Sequence, residues 1–83
     1  MEEEEIVKAL LRKLVYMGKW GESHTSIDNL PKGFPSHVRG DVKDVAKELI
    51  RKGFLLCKPT SYGAEVSLNL EKKKEIEELV RSI

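Results

Sequence analysis

Hydrophobic positions along the chain follow two periods, and the switches between them outline the elements. From Glu2 to Met17, apolar residues recur every three or four positions: Ile6, Val7, Leu10, Leu11, Leu14 and Val15. That spacing predicts an amphipathic helix with one broad apolar stripe. Glutamates at its start and Lys8, Arg12 and Lys13 further on suit the helix dipole, and Gly18 is a natural stop. The run Glu2 to Glu5 therefore reads as a solvated helix start rather than an acidic binding tail. Gly18 to Thr25 is a connector. Trp20, between Gly18 and Gly21, is expected to anchor in the core, and His24 and Thr25 suggest a short strand. Ser26 is placed to cap a short helix through Ile27, Asp28, Asn29 and Leu30, with Ile27 and Leu30 facing inward. Pro31, Gly33 and Pro35 then force a turn with Phe34 as its hydrophobic plug. Ser36 is the predicted cap of the longest internal helix, which runs to about Lys52 on the stripe Val38, Val42, Val45, Ala46, Leu49 and Ile50. Gly40 lies inside that pattern at a cost of about 1 kcal/mol relative to alanine, which points to a helix start or a close approach there. Gly53 ends the helix.

After Gly53 the period falls to two. Phe54 to Lys58 predicts one strand. Ala64, Val66, Leu68 and Leu70 alternate with Glu65, Ser67 and Asn69, which predicts a second, half-buried strand. Pro59 to Gly63 lies between them as a five-residue turn, so the pair reads as a β-hairpin. Glu71 to Ile83 returns to a helical pattern, with Ile76, Leu79, Val80 and Ile83 as its stripe. No repeat or low-complexity linker interrupts the order. With 83 residues the chain has room for one core, and residues 1–83 read as a single α+β domain. Area scaling gives such a domain about 5,000 Å² of folded surface.

Three helices followed by a β-hairpin resemble the winged helix-turn-helix domain. The stretch carrying most of the resemblance is Val38, Val42, Val45, Ala46 and Leu49 running through Gly53 into Phe54 and Leu55. It is similar to a third, recognition helix leading into the first wing strand, with Thr60-Ser61-Tyr62-Gly63 as the wing tip. His24 to Leu30, Gly33-Phe34-Pro35 and Lys58 to Gly63 look similar to small archaeal winged-helix proteins of unassigned function. The resemblance covers roughly Ile6 to Leu70. It implies a three-helix core, a hairpin wing and an extra C-terminal helix. The turn Pro31 to Pro35 is longer and more rigid than the family's usual tight turn.

Composition narrows the classes. One cysteine, Cys57, cannot form an intramolecular disulfide, and no cysteine tetrad for zinc exists. No apolar stretch approaches the ~20 residues needed to cross a bilayer. The acidic start is unlike a secretory leader, so a cytoplasmic protein without membrane contact is expected. Fifteen Lys and Arg against fourteen Asp and Glu leave a net charge of +1, but the charges are segregated. Acids gather at both ends. Between Lys32 and Lys58, seven bases (Lys32, Arg39, Lys43, Lys47, Arg51, Lys52 and Lys58) face three acids (Asp41, Asp44 and Glu48), a modest basic patch.

These residues suggest binding rather than catalysis. If Val38, Val42, Val45 and Leu49 face the core, then Ser36, His37, Arg39, Gly40, Lys43 and Lys47 lie outside. A groove-reading helix presents such residues to bases and phosphates. Arg39 suits a bidentate contact to guanine. Ser36 and the free N–H groups of the helix suit a phosphate, and Lys43 with Lys47 would track the backbone. Lys58, Thr60 and Tyr62 are the corresponding wing candidates, with Tyr62 packing on a sugar or, in a plain hairpin, on Pro59. An ordinary solvated helix would instead pair Lys43 or Lys47 with Asp44 or Glu48. Asp41 and Asp44 weigh against DNA, because carboxylates repel phosphates. His24, His37 and Cys57 lack ligand spacing, so no metal is expected; no cofactor motif or catalytic constellation is present. The resulting expectation is a duplex-DNA-binding transcriptional regulator, with a homodimer through the first and last helices. The alternative is a protein-interaction or RNA- or ribosome-associated module on the same fold.

Overall fold

A computed structural model describes residues 1–82 of the chain. The first helix, α1, spans Glu3–Tyr16. The backbone N–H of Glu2 donates to the Glu5 carboxylate at 3.2 Å, which closes its first turn. Its stripe buries Ile6, Leu10, Leu11 and Leu14, while Val7 and Val15 flank them. Gly18, with φ +67°, turns the chain away as expected.

The connector runs along the sheet. The amide of Gly21 donates to the Leu68 carbonyl at 3.0 Å, and the amide of Leu68 to Lys19 at 2.7 Å. Trp20 anchors against the core from this edge, as expected, and is half-buried there. Strand β1 is Thr25–Ser26. Ser26 then caps as predicted, its Oγ accepting from the amide of Asp28 at 3.2 Å. The helix it caps is only a single 3₁₀ turn, Ile27–Asn29. The cause is Pro31. An α-helix would need its N–H for the Ile27 carbonyl; instead the Leu30 amide takes that carbonyl at 3.2 Å. The three-helix core expected from the resemblance therefore has a 3₁₀ turn in second place.

The next turn closes through the Phe34 amide to the Pro31 carbonyl at 3.1 Å, with Gly33 at φ +90°. Phe34 plugs the core as expected, 9% exposed. Ser36 does not cap the following helix. It opens a second 3₁₀ turn, Ser36–Val38, and α2 begins after it, spanning Arg39–Arg51 with no side-chain cap. Pro35 explains the difference: its carbonyl takes the Val38 amide at 3.0 Å, and this fixes a tight three-residue turn ahead of the helix. Val42, Val45, Ala46 and Leu49 are buried. Gly53 (φ +84°) ends α2 in a Schellman turn, with the Phe54 amide on Leu49 at 2.9 Å and the Gly53 amide on Ile50 at 3.1 Å.

Strands β2 (Leu55–Thr60) and β3 (Gly63–Leu68) form the hairpin. They complete an antiparallel sheet of order β1-β3-β2. The predicted five-residue turn is shorter. Thr60 pairs with Gly63 and Pro59 with Ala64, leaving Ser61 and Tyr62 as the loop. Pro59 is tolerated inside β2 because β2 is an edge strand. Two alternation-based expectations fail. Ser67 is fully buried although its parity placed it outside, and its Oγ has no partner among the described residues. Leu70 is 57% exposed, because β3 stops at Leu68 and the chain enters a 3₁₀ turn, Leu70–Lys72. Asn69 makes that corner: its Nδ2 donates to the Gly53 carbonyl at 2.8 Å and its Oδ1 accepts from the Glu71 amide at 3.0 Å.

The last helix, α3, spans Lys73–Arg81 and buries Ile76. Leu79 and Val80 flank it, and Ile83, the last residue of the predicted stripe, lies outside the described residues. Arg12 of α1 fastens its end, donating to the carbonyls of Val80 at 3.0 Å and Ser82 at 3.3 Å. The accessible surface is 5371 Å², near the value that area scaling gives for a folded chain of this mass. No helix among the described residues is long and apolar enough to cross a membrane.

Candidate functional site

The sequence-predicted site residues fall on two elements. Ser36 and His37 are exposed on the 3₁₀ turn that leads into α2. Arg39 is the first residue of α2, and Lys43 and Lys47 follow one and two turns later, both exposed. At 3.6 residues per turn, residues four apart stack on one flank of a helix. Arg39, Lys43 and Lys47 thus form one basic stripe beginning at the α2 N-terminus, with Ser36 and His37 exposed on the turn ahead of it.

The acids of α2 take the other flank. Asp41, Asp44 and Glu48 join Met1, Glu3, Ile6 and Val45 in lining a groove of about 390 Å³ against α1. By helical geometry the two flanks lie roughly 120° apart around the axis. The carboxylates that counted against a nucleic-acid contact are therefore turned toward α1, away from the lysines.

Neither Lys43 nor Lys47 pairs with Asp44 or Glu48 among the described residues. Glu48 pairs with Arg51, whose Nε lies 2.7 Å from its Oε2 and Nη2 2.9 Å from its Oε1. Arg51's hydrogen bonds hold the Glu48 carboxyl below the usual carboxylate range and raise the guanidinium in return. Both groups are well solvated, so the pair contributes little to stability. Lys43 and Lys47 make no salt bridge among the described residues. Arg39 is half committed. Its Nε donates to the Phe34 carbonyl at 3.3 Å, while its Nη1 and Nη2 make no hydrogen bond among the described residues.

The hairpin residues are less concentrated. Lys58 and Thr60 alternate with Cys57 and Pro59 on β2 and share a face with Leu56, which is 43% exposed. Glu65 lies directly across from Lys58 and offsets part of its charge. Tyr62 is 98% exposed at the loop, so it does not rest on Pro59. The chain enters β2 from the C-terminal end of α2, whereas Ser36 to Arg39 mark its N-terminal end.

Gly40 sits in the first turn of α2 with open space where a Cβ would go. It serves no packing need. Gly40→Ala is expected to raise stability by about 0.5–1 kcal/mol, measured by urea denaturation. A loss of stability would show that the α2 start is strained.

Cys57 is exposed on β2. Among the described residues, no group of three or more His, Cys, Asp or Glu side chains is placed to hold a metal ion.

Sequence reasoning missed Lys13. Its place in the sequence suits the helix dipole and signals nothing more, yet its Nζ reaches the carbonyls of Asn29 at 2.7 Å, Leu30 at 3.3 Å and Lys32 at 2.6 Å. Nothing in its local sequence signals this, because the partners lie 16 to 19 residues away. Compared with known proteins, the chain matches no family model, no curated protein and no solved structure.

Proposed function

We propose that this protein is a nucleic-acid-binding module of winged helix-turn-helix layout that binds duplex DNA as a transcriptional regulator. The observation carrying this reading is the stripe Arg39, Lys43 and Lys47: three exposed bases in line on α2, with the acids of that helix turned away toward α1. Helix α2 would lie in the major groove, with Ser36 and His37 at its entry. Arg39 has two free Nη groups for a guanine edge or a phosphate. Lys43 and Lys47 would meet phosphates, and Lys58, Thr60 and Tyr62 would touch the backbone from the hairpin. The sheet order β1-β3-β2 and the passage of α2 through Gly53 into the hairpin support the layout.

The test is a titration of labelled random-sequence duplex DNA followed by anisotropy at two salt concentrations. Neutralising about three phosphates predicts an affinity falling about 40-fold between roughly 50 and 200 mM salt. No binding at the lower salt would sink the reading.

A protein-interaction module is the second reading. Tyr16, 93% exposed, together with exposed Leu56 and Leu70, favours it, since large side chains left in solvent often belong to contacts. Pull-down partners that survive nuclease treatment would support it over DNA.

A further inference from the structure

We propose that Lys13 is the positioning residue for the Arg39 end of the basic stripe. Its ammonium straps α1 to the Asn29–Lys32 segment, and through that segment it holds the turn whose Phe34 carbonyl orients Arg39. The functional meaning of this role rests on the DNA-binding reading; the structural coupling does not.

The geometry begins with three carbonyls. Those of Asn29, Leu30 and Lys32 converge on one point, with Lys13 Nζ at 2.7, 3.3 and 2.6 Å. Converging carbonyl dipoles repel each other unless a donor of positive charge sits between them. An ammonium has three N–H donors and no acceptor, so these three carbonyls satisfy it completely. Lys13 thus has no donor left for a phosphate, although it is a base near the candidate face. Burial pushes its pKa below the ordinary lysine value, and the nearby charge of Lys32 adds to the effect. The carbonyls offset that cost with charge-assisted hydrogen bonds.

Among the described residues, Lys13 and Arg39 supply the side-chain hydrogen bonds made to the backbone of residues 30–35. Pro31 and Pro35 have no N–H, and Gly33 has no side chain. Between Lys32 and α2 the chain is held by the buried Phe34 and Val38 side chains, the Phe34 amide on Pro31, the Val38 amide on Pro35, and the Arg39 Nε on the Phe34 carbonyl at 3.3 Å. Two cations therefore hold successive carbonyls of one segment, Lys13 of α1 those of Asn29, Leu30 and Lys32, and Arg39 of α2 that of Phe34. Spending Nε on Phe34 leaves the two Nη groups of Arg39 as a free planar fork, which suits a bidentate acceptor. If the turn moves, the fork turns with it.

The experiment is NMR on the full chain, comparing wild type with Lys13→Met and Lys13→Ala, alongside the duplex-DNA titration. In Lys13→Met, exchange of the Arg39 Nε–H should rise at least about tenfold, while α1 and β3 amides keep their protection. In Lys13→Ala, added ethylammonium should restore the Arg39 protection, because it returns a three-donor cation; a role in packing alone would show no such rescue. Unchanged Arg39 exchange in a folded Lys13→Met protein overturns the proposal. If neither variant folds, the wild type decides. Scalar couplings from Lys13 Nζ to the carbonyls of Asn29, Leu30 and Lys32, and from Arg39 Nε to that of Phe34, support it, and their absence overturns it. In the DNA arm, Lys13→Met should weaken binding about fivefold or more in the wild type and not further in an Arg39→Gln background. A wild type that binds no DNA removes the functional reading, and the exchange result then judges the coupling alone.

Discussion

Leu10→Ala is expected to bring the protein close to unfolding at room temperature. Leu10 is completely buried in the middle of the α1 stripe, between Ile6 and Leu14, and belongs to the cluster formed by α1, α2, the sheet and α3. Truncating a buried leucine removes transfer free energy and leaves a cavity, at a combined cost of about 2–5 kcal/mol. A domain of this length has roughly 4–12 kcal/mol of stability in total. The loss is therefore a large share of the whole. In a chain of this size it corresponds to a fall in Tm on the order of 20 °C. Thermal denaturation followed by circular dichroism measures it. Leu56→Ala is the control, since Leu56 is an exposed side chain on the edge strand and its loss should cost less than about 0.5 kcal/mol. Equal losses in the two variants would mean that α1 does not organise the core.

Lys43→Glu/Lys47→Glu should abolish most duplex-DNA affinity while leaving the fold intact. The two lysines are exposed, make no salt bridge among the described residues, and stand one turn apart on the basic flank of α2. Each phosphate contact contributes close to one unit to the slope of log affinity against log salt. Removing both should lower that slope by about 2. The two new negative charges then add repulsion, so affinity at low salt should fall well beyond about tenfold. Stability should change by less than about 0.5 kcal/mol, because the substitutions break no contact. Anisotropy titration alongside a urea melt separates the two effects. Full affinity in the folded double variant would remove α2 from the interface. Asp41→Asn/Asp44→Asn sharpens the contrast: these carboxylates face the α1 groove, so their neutralisation should change affinity much less.

Most elements were legible in local pattern. Helix α1 and its stop at Gly18 followed from spacing and one glycine, and α2 with its end at Gly53 did likewise. The hairpin followed from the change of period, and Phe34 from its place among turn residues. The misreadings at the two short turns share a cause, which is that the capping propensity of a serine competes with the backbone constraint of a nearby proline. Ser36 has the chemistry of a cap, but Pro35 had already taken the Val38 amide into a tight turn. Ser26 did cap, yet Pro31 could not donate the bond that would have lengthened its helix. The hairpin loop tightened because Pro59 is acceptable at a sheet edge, and nothing local says which strand is the edge.

The candidate site divides in the same way. The one-turn spacing of Arg39, Lys43 and Lys47 is a property of the helical period and was plain in the amino-acid order. Which flank of α2 meets α1 is not, because both flanks are polar. Packing of Val42, Val45 and Leu49 into the core with Ile6 and its neighbours set Asp41, Asp44 and Glu48 along the groove beside α1 and left Lys43 and Lys47 without a salt bridge among the described residues. The α+β order and the positions of the helices and hairpin are thus written in short-range periodicity, which depends only on residues a few positions apart. The burial of Ser67, the clustering of acids on the α1 groove and the strap from Lys13 to Asn29, Leu30 and Lys32 belong to the assembled molecule. They depend on where distant carbonyls and surfaces come to rest, and only packing brings those groups within reach of each other.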